Sequence, residues 1–431
     1  MDPDKLSVAS VRPARTEEDI DRAQEFLRTP RVREIIEAHP EERGCVRLCE
    51  AEGELIAALL IDPAPLRIRD VDMRCARLHE TGGEDGRRLF RDTGDPELFE
   101  YMMEEFLGYL WARRYPIAYV HGELALYPQH GFVPCFYHPR VYVDVAAAIK
   151  LPAEYRVRHL KADDVRSFPE LRQKHRRWKP VVFATGVPRF HHFTIESTER
   201  KIRGCFSLET NPDARWNPRV FAPEVDVADR KAACTLLRHC AEKASELDIK
   251  QIHFSLGPGH PVARLCLEIG GQAVMRGAAT DPRLNEEMIH IADPVRFGTA
   301  LAPYFKRRLK RRGLDLSVSI PIHTDHGHWS LNVREGEATI DGHDGPGEGG
   351  LEIPHWALTQ LLVGYKSVDE LDADIDEEQR SVLRLLFPKT WPFSMPDPDH
   401  WATRIPPYPY SKEALTFIEH LRLPWADVQH G

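Results

Sequence analysis

Apolar and polar positions alternate over Leu6–Val11, which predicts a first strand, and switch to a three-to-four spacing over Thr16–Leu27, which predicts a helix. Thr16 and Asp19 stand three apart at the start of that helix and resemble a capping box. Val46–Glu50 and Leu55–Ile61 predict a hairpin turning at Glu52-Gly53, and Val71–His79 predicts a further strand. A polar, Gly-rich loop over Thr81–Phe90 follows. The segment Glu97–Arg113 then carries Leu98, Phe99, Met102, Met103, Phe106, Leu107 and Leu110 on one broad apolar face of a long helix. Ile117–His121 and Val141–Val145 read as the strands that complete the set. The order is β-α-β-β-β-α-β-β, mostly antiparallel with one long helix.

A weaker copy of this pattern follows. Tyr155–Leu160 reads as a strand and Ala162–Arg176 as a helix broken at Pro169. Lys231–Leu247 is a second long helix, Ile249–Leu256 a strand, His260–Ile269 a short helix and Gly270-Gly271 a turn. The long helix and its following strand thus recur about 130 positions downstream, which predicts a duplicated fold. From Pro294 the pattern changes. Phe297–Arg312 and Trp356–Gly364 read as helices, Leu316–Pro321 and Trp329–Arg334 as strands, and Gly336–Gly350 as a Gly-rich connection. A Pro-rich tail, too dense in proline for long helices, ends the chain. The expectation is an α+β protein of three domains, 1–148, 149–295 and 296–431.

Composition narrows the class. The chain has 431 residues, 42% of them hydrophobic and 29% charged, which suits a globular protein too long for one core. A net charge of −9 gives no reason to expect nucleic acid as a partner. No apolar run reaches the roughly 20 residues that span a bilayer. The polar start Met1-Asp2-Pro3-Asp4-Lys5 lacks the pattern of a signal peptide, so a cytoplasmic location is expected. Eight scattered cysteines include no Cys-x-x-Cys, which argues against a zinc knuckle or a redox pair and for packed, reduced thiols.

Candidate chemistry concentrates between Arg91 and Phe132. Arg91-Asp92-Thr93-Gly94-Asp95-Pro96 opens the first long helix. A helix start offers unpaired N–H groups and partial positive charge to a phosphate. Gly94 permits close approach of the backbone, and Arg91 adds a charged donor. An ordinary capped helix start has the same residue types. Tyr127 follows the next strand, where a neutral phenol can donate a proton to a leaving thiolate. A core tyrosine in a turn would look no different. His121 and Glu123 share one strand face two residues apart and are candidate bases, with His130 a further one. His323, Asp325, His326 and His328 have metal-ligand residue types but lie in a polar turn, and no metal is expected. Lys306–Arg312 reads as the solvated face of a helix.

The segment from Arg91 to Phe132, ending in Tyr127-Pro-Gln-His-Gly131-Phe132, resembles the GNAT acyltransferase superfamily. That family combines an Arg/Gln-x-x-Gly-x-Gly/Ala loop, a long helix, a strand and then Tyr-x-x-x-Gly-Phe/Tyr. The whole layout is similar to the Eis-like branch, with two GNAT domains and a sterol carrier protein-like domain. Leu331-Asn332-Val333-x-x-Gly336, Leu361-Leu362-x-Gly364-Tyr365 and Phe387-Pro388 carry the likeness of the third domain. The resemblance implies tandem GNAT-type mixed, mostly antiparallel sheets with flanking helices, and N-acyl transfer from acetyl-coenzyme A as co-substrate. It implies that Arg91 and Gly94, with Thr93 and Asp95 beside them, hold the pyrophosphate and that Tyr127 protonates the thiolate. It also implies an amine acceptor, small molecule or peptide, a terminal carboxylate at Gly431 in the acceptor site, and a homo-oligomer.

The chain departs from that pattern in places. Pro96 stands where the family has Gly or Ala and removes one phosphate-binding N–H. Before the second long helix stands Asp226-Val227-Ala228-Asp229-Arg230, without glycine, and Gly257-Pro258-Gly259-His260 replaces the tyrosine turn. The second copy is therefore expected to bind no coenzyme A. These departures keep open an alternative, a non-catalytic scaffold that binds a ligand or a protein.

Overall fold

Local signals near the N-terminus form as the residues dictate. In α1 (Glu17–Leu27) the Thr16 hydroxyl accepts from Asp19 N–H at 3.1 Å, and the Asp19 carboxylate accepts from Thr16 and Arg15 N–H at 3.1 and 2.8 Å. Arg12 donates to the same carboxylate at 2.6 Å, tying β1 (Ser10–Pro13) to the helix start. After α2 (Arg31–Ala38), the hairpin of β2 (Val46–Ala51) and β3 (Glu54–Asp62) turns at Glu52 and Gly53. Their φ values of 53° and 83° suit a tight turn. The computed structural model describes residues 9–27, 31–63, 65–69, 71–79, 96–161, 164, 191–211, 219–222, 225–256, 260–277, 285–312, 317–345, 350–371 and 373–390. The expected helix at 162–176 and the Pro-rich tail from 391 therefore lie outside the described residues, residue 164 excepted.

The chain divides into two compact units, 1–135 with 279–390 and 136–278 with 391–431. In the first, β4 (Pro65–Ile68) pairs with β5 (Val71–His79), and α3 (Pro96–Ala112) leads to β6 (Ile117–Glu123) and the short β7 (Val133–Pro134). In the second, β8 (His138–Asp144), the one-turn α4 (Val145–Ala148), β9 (Arg156–His159), β10 (His191–Glu196), β11 (Ile202–Asn211), β12 (Arg219–Ala222) and β13 (Val225–Val227) precede α5 (Arg230–Glu246). Then come β14 (Gln251–Phe254), α6 (Pro261–Glu268) and β15 (Gln272–Arg276), before β16 (Asn285–His290) returns the chain to the first unit. Both sheets are mixed and mostly antiparallel, as the sequence leads one to expect.

Strand order shows an exchange that the sequence hides. The first sheet runs β1-β2-β3-β5-β6-β16-β7 and the second β15-β8-β14-β12-β11-β10-β9. By its sequence, Val141–Val145 is expected to close the first fold. The observed strand, β8, instead lies between β14 and β15 of the second sheet, and β16 takes the equivalent place between β6 and β7 of the first. Segment 136–148 thus groups with the second unit and 279–295 with the first.

A third sheet completes the first unit. Following α7 (Pro294–Arg312) it contains β17 (Val318–Thr324), β18 (Gly327–Arg334), β19 (Glu337–His343) and β20 (Leu351–Glu352), and then α8 (His355–Val363) and α9 (Glu377–Leu386). The Gly336–Gly350 connection is therefore corrected in part. Its first half is β19, because Glu335 and Gly336 at φ 51° and 75° make a tight hairpin rather than an open loop. Arg69 ties this sheet's helices to the β4–β5 turn, donating to Tyr304 Oη at 3.2 Å and to the carbonyls of Pro388, Leu361 and Leu362 at 3.1–3.4 Å. Cations suit such helix C-terminal carbonyls. Among the described residues no helix is long and apolar enough to cross a membrane.

Candidate functional site

The site grows from one parallel strand pair. β5 and β6 run parallel from Cys75↔Ile117 to Leu78↔Val120, where their pairing ends. β6 continues through His121, Gly122 and Glu123, held on its other edge by Glu287, Glu286 and Asn285 of β16. Among the described residues the β5–β6 register therefore stops one residue short of His121.

Tyr127 stands beside this end of the parallel pair. A turn closed by Leu126 N–H to Glu123 O at 3.1 Å leads into a short 3-10 helix, Tyr127–His130, which Gly131 ends at φ 78°. A side chain at 131 would be strained by that backbone conformation, and its Cβ would come within 3.0 Å of His290 Nδ1. Tyr127 is fully buried, edge-on to Phe99 at 5.4 Å and to Phe132 at 5.8 Å. Its ring lies against Gly122, where an added Cβ would come within 2.0 Å of Cε2. Among the described residues its hydroxyl has no hydrogen-bond partner, an uncommon condition for a buried polar atom.

Phe99 belongs to the first turn of α3, so the start of that helix lies next to Tyr127. Pro96 is the first helical residue, as its fixed φ favours. Arg91, Thr93, Gly94 and Asp95 lie outside the described residues, as does Gly431. The eight thiols are all buried, and burial raises Cys45 to about 12 and Cys49 to about 11, which leaves these two protonated at neutral pH.

Two of the three candidate bases lie on the face opposite the candidate acid. The direction of the Gly122 Cβ puts Tyr127 on the face of Ala118 and Val120, which belong to the core beneath α3. Strand alternation puts His121 and Glu123 on the opposite face. They share that face with Tyr119, whose hydroxyl donates to Glu287 at 3.0 Å, and with Arg77, over the Tyr119 ring at 5.6 Å. His130 lies on the Tyr127 side, 5.3 Å from Phe99, and burial lowers its pKa.

Sequence reasoning passed over Gly122, although a glycine inside a strand often marks close approach of another group. It also missed β16, whose adjacent buried acids Glu286 and Glu287 give no clean alternation. In the second unit β12 and β14 form a comparable parallel pair, Val220↔Ile252 to Ala222↔Phe254. There the start of α5 is occupied by the chain's own anion. Asp229 accepts from Ala232 N–H at 2.8 Å and from Arg203, with Tyr155 Oη at 3.5 Å. Residues 257–259 lie outside the described residues. His323 and His328 face each other at 3.2 Å between ring nitrogens, and no group of three metal-ligating side chains occurs among the described residues.

No protein-family model matches the chain, and no curated protein matches it. Solved structures do. A GCN5-related N-acetyltransferase from Kribbella flavida is 17% identical with a TM-score of 0.65, over 91% of this chain and 99% of that one. One from Anabaena variabilis ATCC 29413 is 13% identical with a TM-score of 0.62, over 90% and 99%. Eis1 from Mycobacterium abscessus is 13% identical with a TM-score of 0.61, over 90% and 100%. At such identities the likeness shows the fold, which is of the GCN5-related acetyltransferase type.

Proposed function

We propose that this chain is an acyl-coenzyme A-dependent N-acyltransferase, with acetyl-coenzyme A as co-substrate, working where β5 and β6 part. The observation that carries this reading is the buried Tyr127 hydroxyl, without a hydrogen-bond partner among the described residues and seated on Gly122 just past the end of the parallel pair. In this reading the pantetheine arm lies alongside β6 at that point. Arg91, Thr93, Gly94 and Asp95 directly precede α3, and their main chain with the helix start would hold the pyrophosphate.

The acceptor amine, of a small molecule or peptide, attacks the thioester carbonyl. A C–N bond forms, and collapse of the tetrahedral adduct breaks the C–S bond. Tyr127 gives its proton to the leaving sulfur, and the proton shed by the amine balances it. Because His121 and Glu123 lie on the other strand face, the amine would approach from there while the phenol serves the sulfur. In this reading the layout is Eis-like, residues 296–431 form a sterol carrier protein-like domain, and the protein assembles as a homo-oligomer.

Calorimetric titration of acetyl-coenzyme A into the full chain tests the proposal. Binding weakened by Arg91→Ala, with turnover of an amine panel chiefly slowed by Tyr127→Phe, is expected. No heat at millimolar ligand would leave the non-catalytic scaffold as the better reading.

A further inference from the structure

The turn that carries Tyr127 is tied down by two side chains 159 and 226 positions downstream of the carbonyls they hold. β16 pairs His290 with Ala118 and Met288 with Val120, and strand alternation puts both on the sheet face that Tyr127 occupies. His290 Nδ1 lies 3.2 Å from Gly131 O. A carbonyl oxygen only accepts, so the imidazole carries a proton on Nδ1 and donates it. Gln360, in the second turn of α8, donates through Nε2 to Pro134 O at 3.1 Å.

The two acceptors bracket Phe132 and Val133. The Phe132 ring lies 5.3 Å from the His290 ring on one side and 5.8 Å from the Tyr127 ring on the other. Gly131 stands closest to the clasp, since a Cβ there would meet His290 Nδ1 at 3.0 Å and His326 Cε1 at 3.5 Å. The chain leaving the turn is thus gripped at 131 by β16 and at 134 by α8.

Shape and place have different causes here. The turn's own bonds are local: Leu126 N–H to Glu123 O at 3.1 Å, Gly131 N–H to Pro128 O at 3.0 Å and Phe132 N–H to Tyr127 O at 3.3 Å. They set the shape of a single 3-10 turn, whose hydrogen bonds have poor geometry. They do not set where that turn sits on the sheet. Its place comes from the two-residue pairing of β7 with β16 and from the His290 and Gln360 bonds. Loss of either bond lets Phe132 shift, and Tyr127 leans on Phe132.

We infer that His290 is a positioning residue for Tyr127, holding the Gly131 carbonyl and backing the Phe132 ring so that the phenol keeps its place, with Gln360 as the second clasp on Pro134. This role rests on the acyltransferase reading, in which the Tyr127 hydroxyl protonates the leaving thiolate. Neither side chain needs to touch substrate or coenzyme A.

Steady-state kinetics of the full chain with acetyl-coenzyme A and an amine panel test it, with thermal unfolding run in parallel. His290→Phe keeps a ring against Phe132 and removes the donor. Its kcat should fall roughly tenfold with KM for acetyl-coenzyme A unchanged, the split expected when only the placement of the proton donor suffers. His290→Asn sets an amide N–H as many bonds from Cβ as Nδ1 and should restore most of that loss. Gln360→Leu should lower kcat in the same sense, and it carries the test if His290→Phe does not fold. In a Tyr127→Phe background neither substitution should slow turnover further. Unchanged kcat in both variants, an Asn variant no better than the Phe one, or a loss undiminished in the Tyr127→Phe background would overturn the positioning role and leave the acyltransferase reading standing. A parent chain that turns over no amine would end that reading and the positioning role with it.

Discussion

Replacing Gly122 by alanine probes the seat of Tyr127 most directly. The new methyl would lie 2.0 Å from Cε2, 2.4 Å from Cδ2 and 2.9 Å from Cζ of a ring already bounded by Phe99 and Phe132. Carbon atoms rest at about 3.5–4.0 Å, so the ring must retreat by roughly 1.5 Å. Overpacking of this kind costs about 1–3 kcal/mol. A unit of this size loses about 2–4 °C of melting temperature per kcal/mol. If the Tyr127 hydroxyl delivers a proton, a shift of that size should lower kcat by roughly a hundredfold, since misplacement by about 1 Å has that effect. Steady-state kinetics with acetyl-coenzyme A and thermal unfolding, run in parallel, measure both. In a Tyr127→Phe background the same substitution should still destabilise but leave kcat almost where it was. An alanine variant with native melting and native kcat would refute the geometry. A kcat loss undiminished in the Phe background would refute the role of the hydroxyl.

The strand exchange predicts that a fragment ending at residue 148 will not fold, because it lacks β16 and strands β8 without its partners; a cooperative melt from that fragment would contradict the topology. Asp19→Ala removes the cap of α1 and should cost about 0.5–2 kcal/mol in urea unfolding. The Arg12 guanidinium, then the Arg15 and Thr16 N–H groups, hold the Asp19 carboxyl well below its ordinary range. Its stabilising effect is therefore complete above about 3.9 and lost as pH falls below that. The alanine variant should accordingly show a shallower acid limb than the parent, and identical limbs would count against the cap. Burial lowers His290 and His355 to about 4, against about 6.5 in an unfolded chain. Between those values the unfolded state binds more protons, so urea midpoints should fall as pH drops from about 6.5 towards about 4. A His355→Phe protein should lose less of its midpoint over that range, and an unchanged slope would argue against a buried neutral ring.

Local signals were legible in the chain and long-range ones were not. Thr16 with Asp19, Glu52-Gly53, the apolar face of Glu97–Arg113 and Gly364 after α8 each encode their structure within a few residues. Gly364, for instance, ends its helix at φ 84°. The partner of a strand is not encoded that way. Val141–Val145 has the alternation of a half-buried strand whichever sheet receives it, so the exchange with β16 could not be read. Of the candidate site, the place of Tyr127 in the turn after β6 was legible. The opposite facing of His121 and Glu123 follows only once the register of β6 fixes which face α3 covers. Gly122 was visible as a glycine in a strand, but what it makes room for was not. A cavity of about 300 Å³ between Pro128–Pro134 and α8 joins residues more than 200 positions apart, and no local pattern announces it.

A crystal structure of the full chain with coenzyme A bound bears most directly on the claim that the phenol serves a thiolate between the parting strands. The sulfur should lie within hydrogen-bonding reach of Tyr127 Oη, with the pantetheine arm alongside residues 121–123 of β6. A sulfur held elsewhere, or a cleft closed by side chains with the hydroxyl turned away, would contradict it.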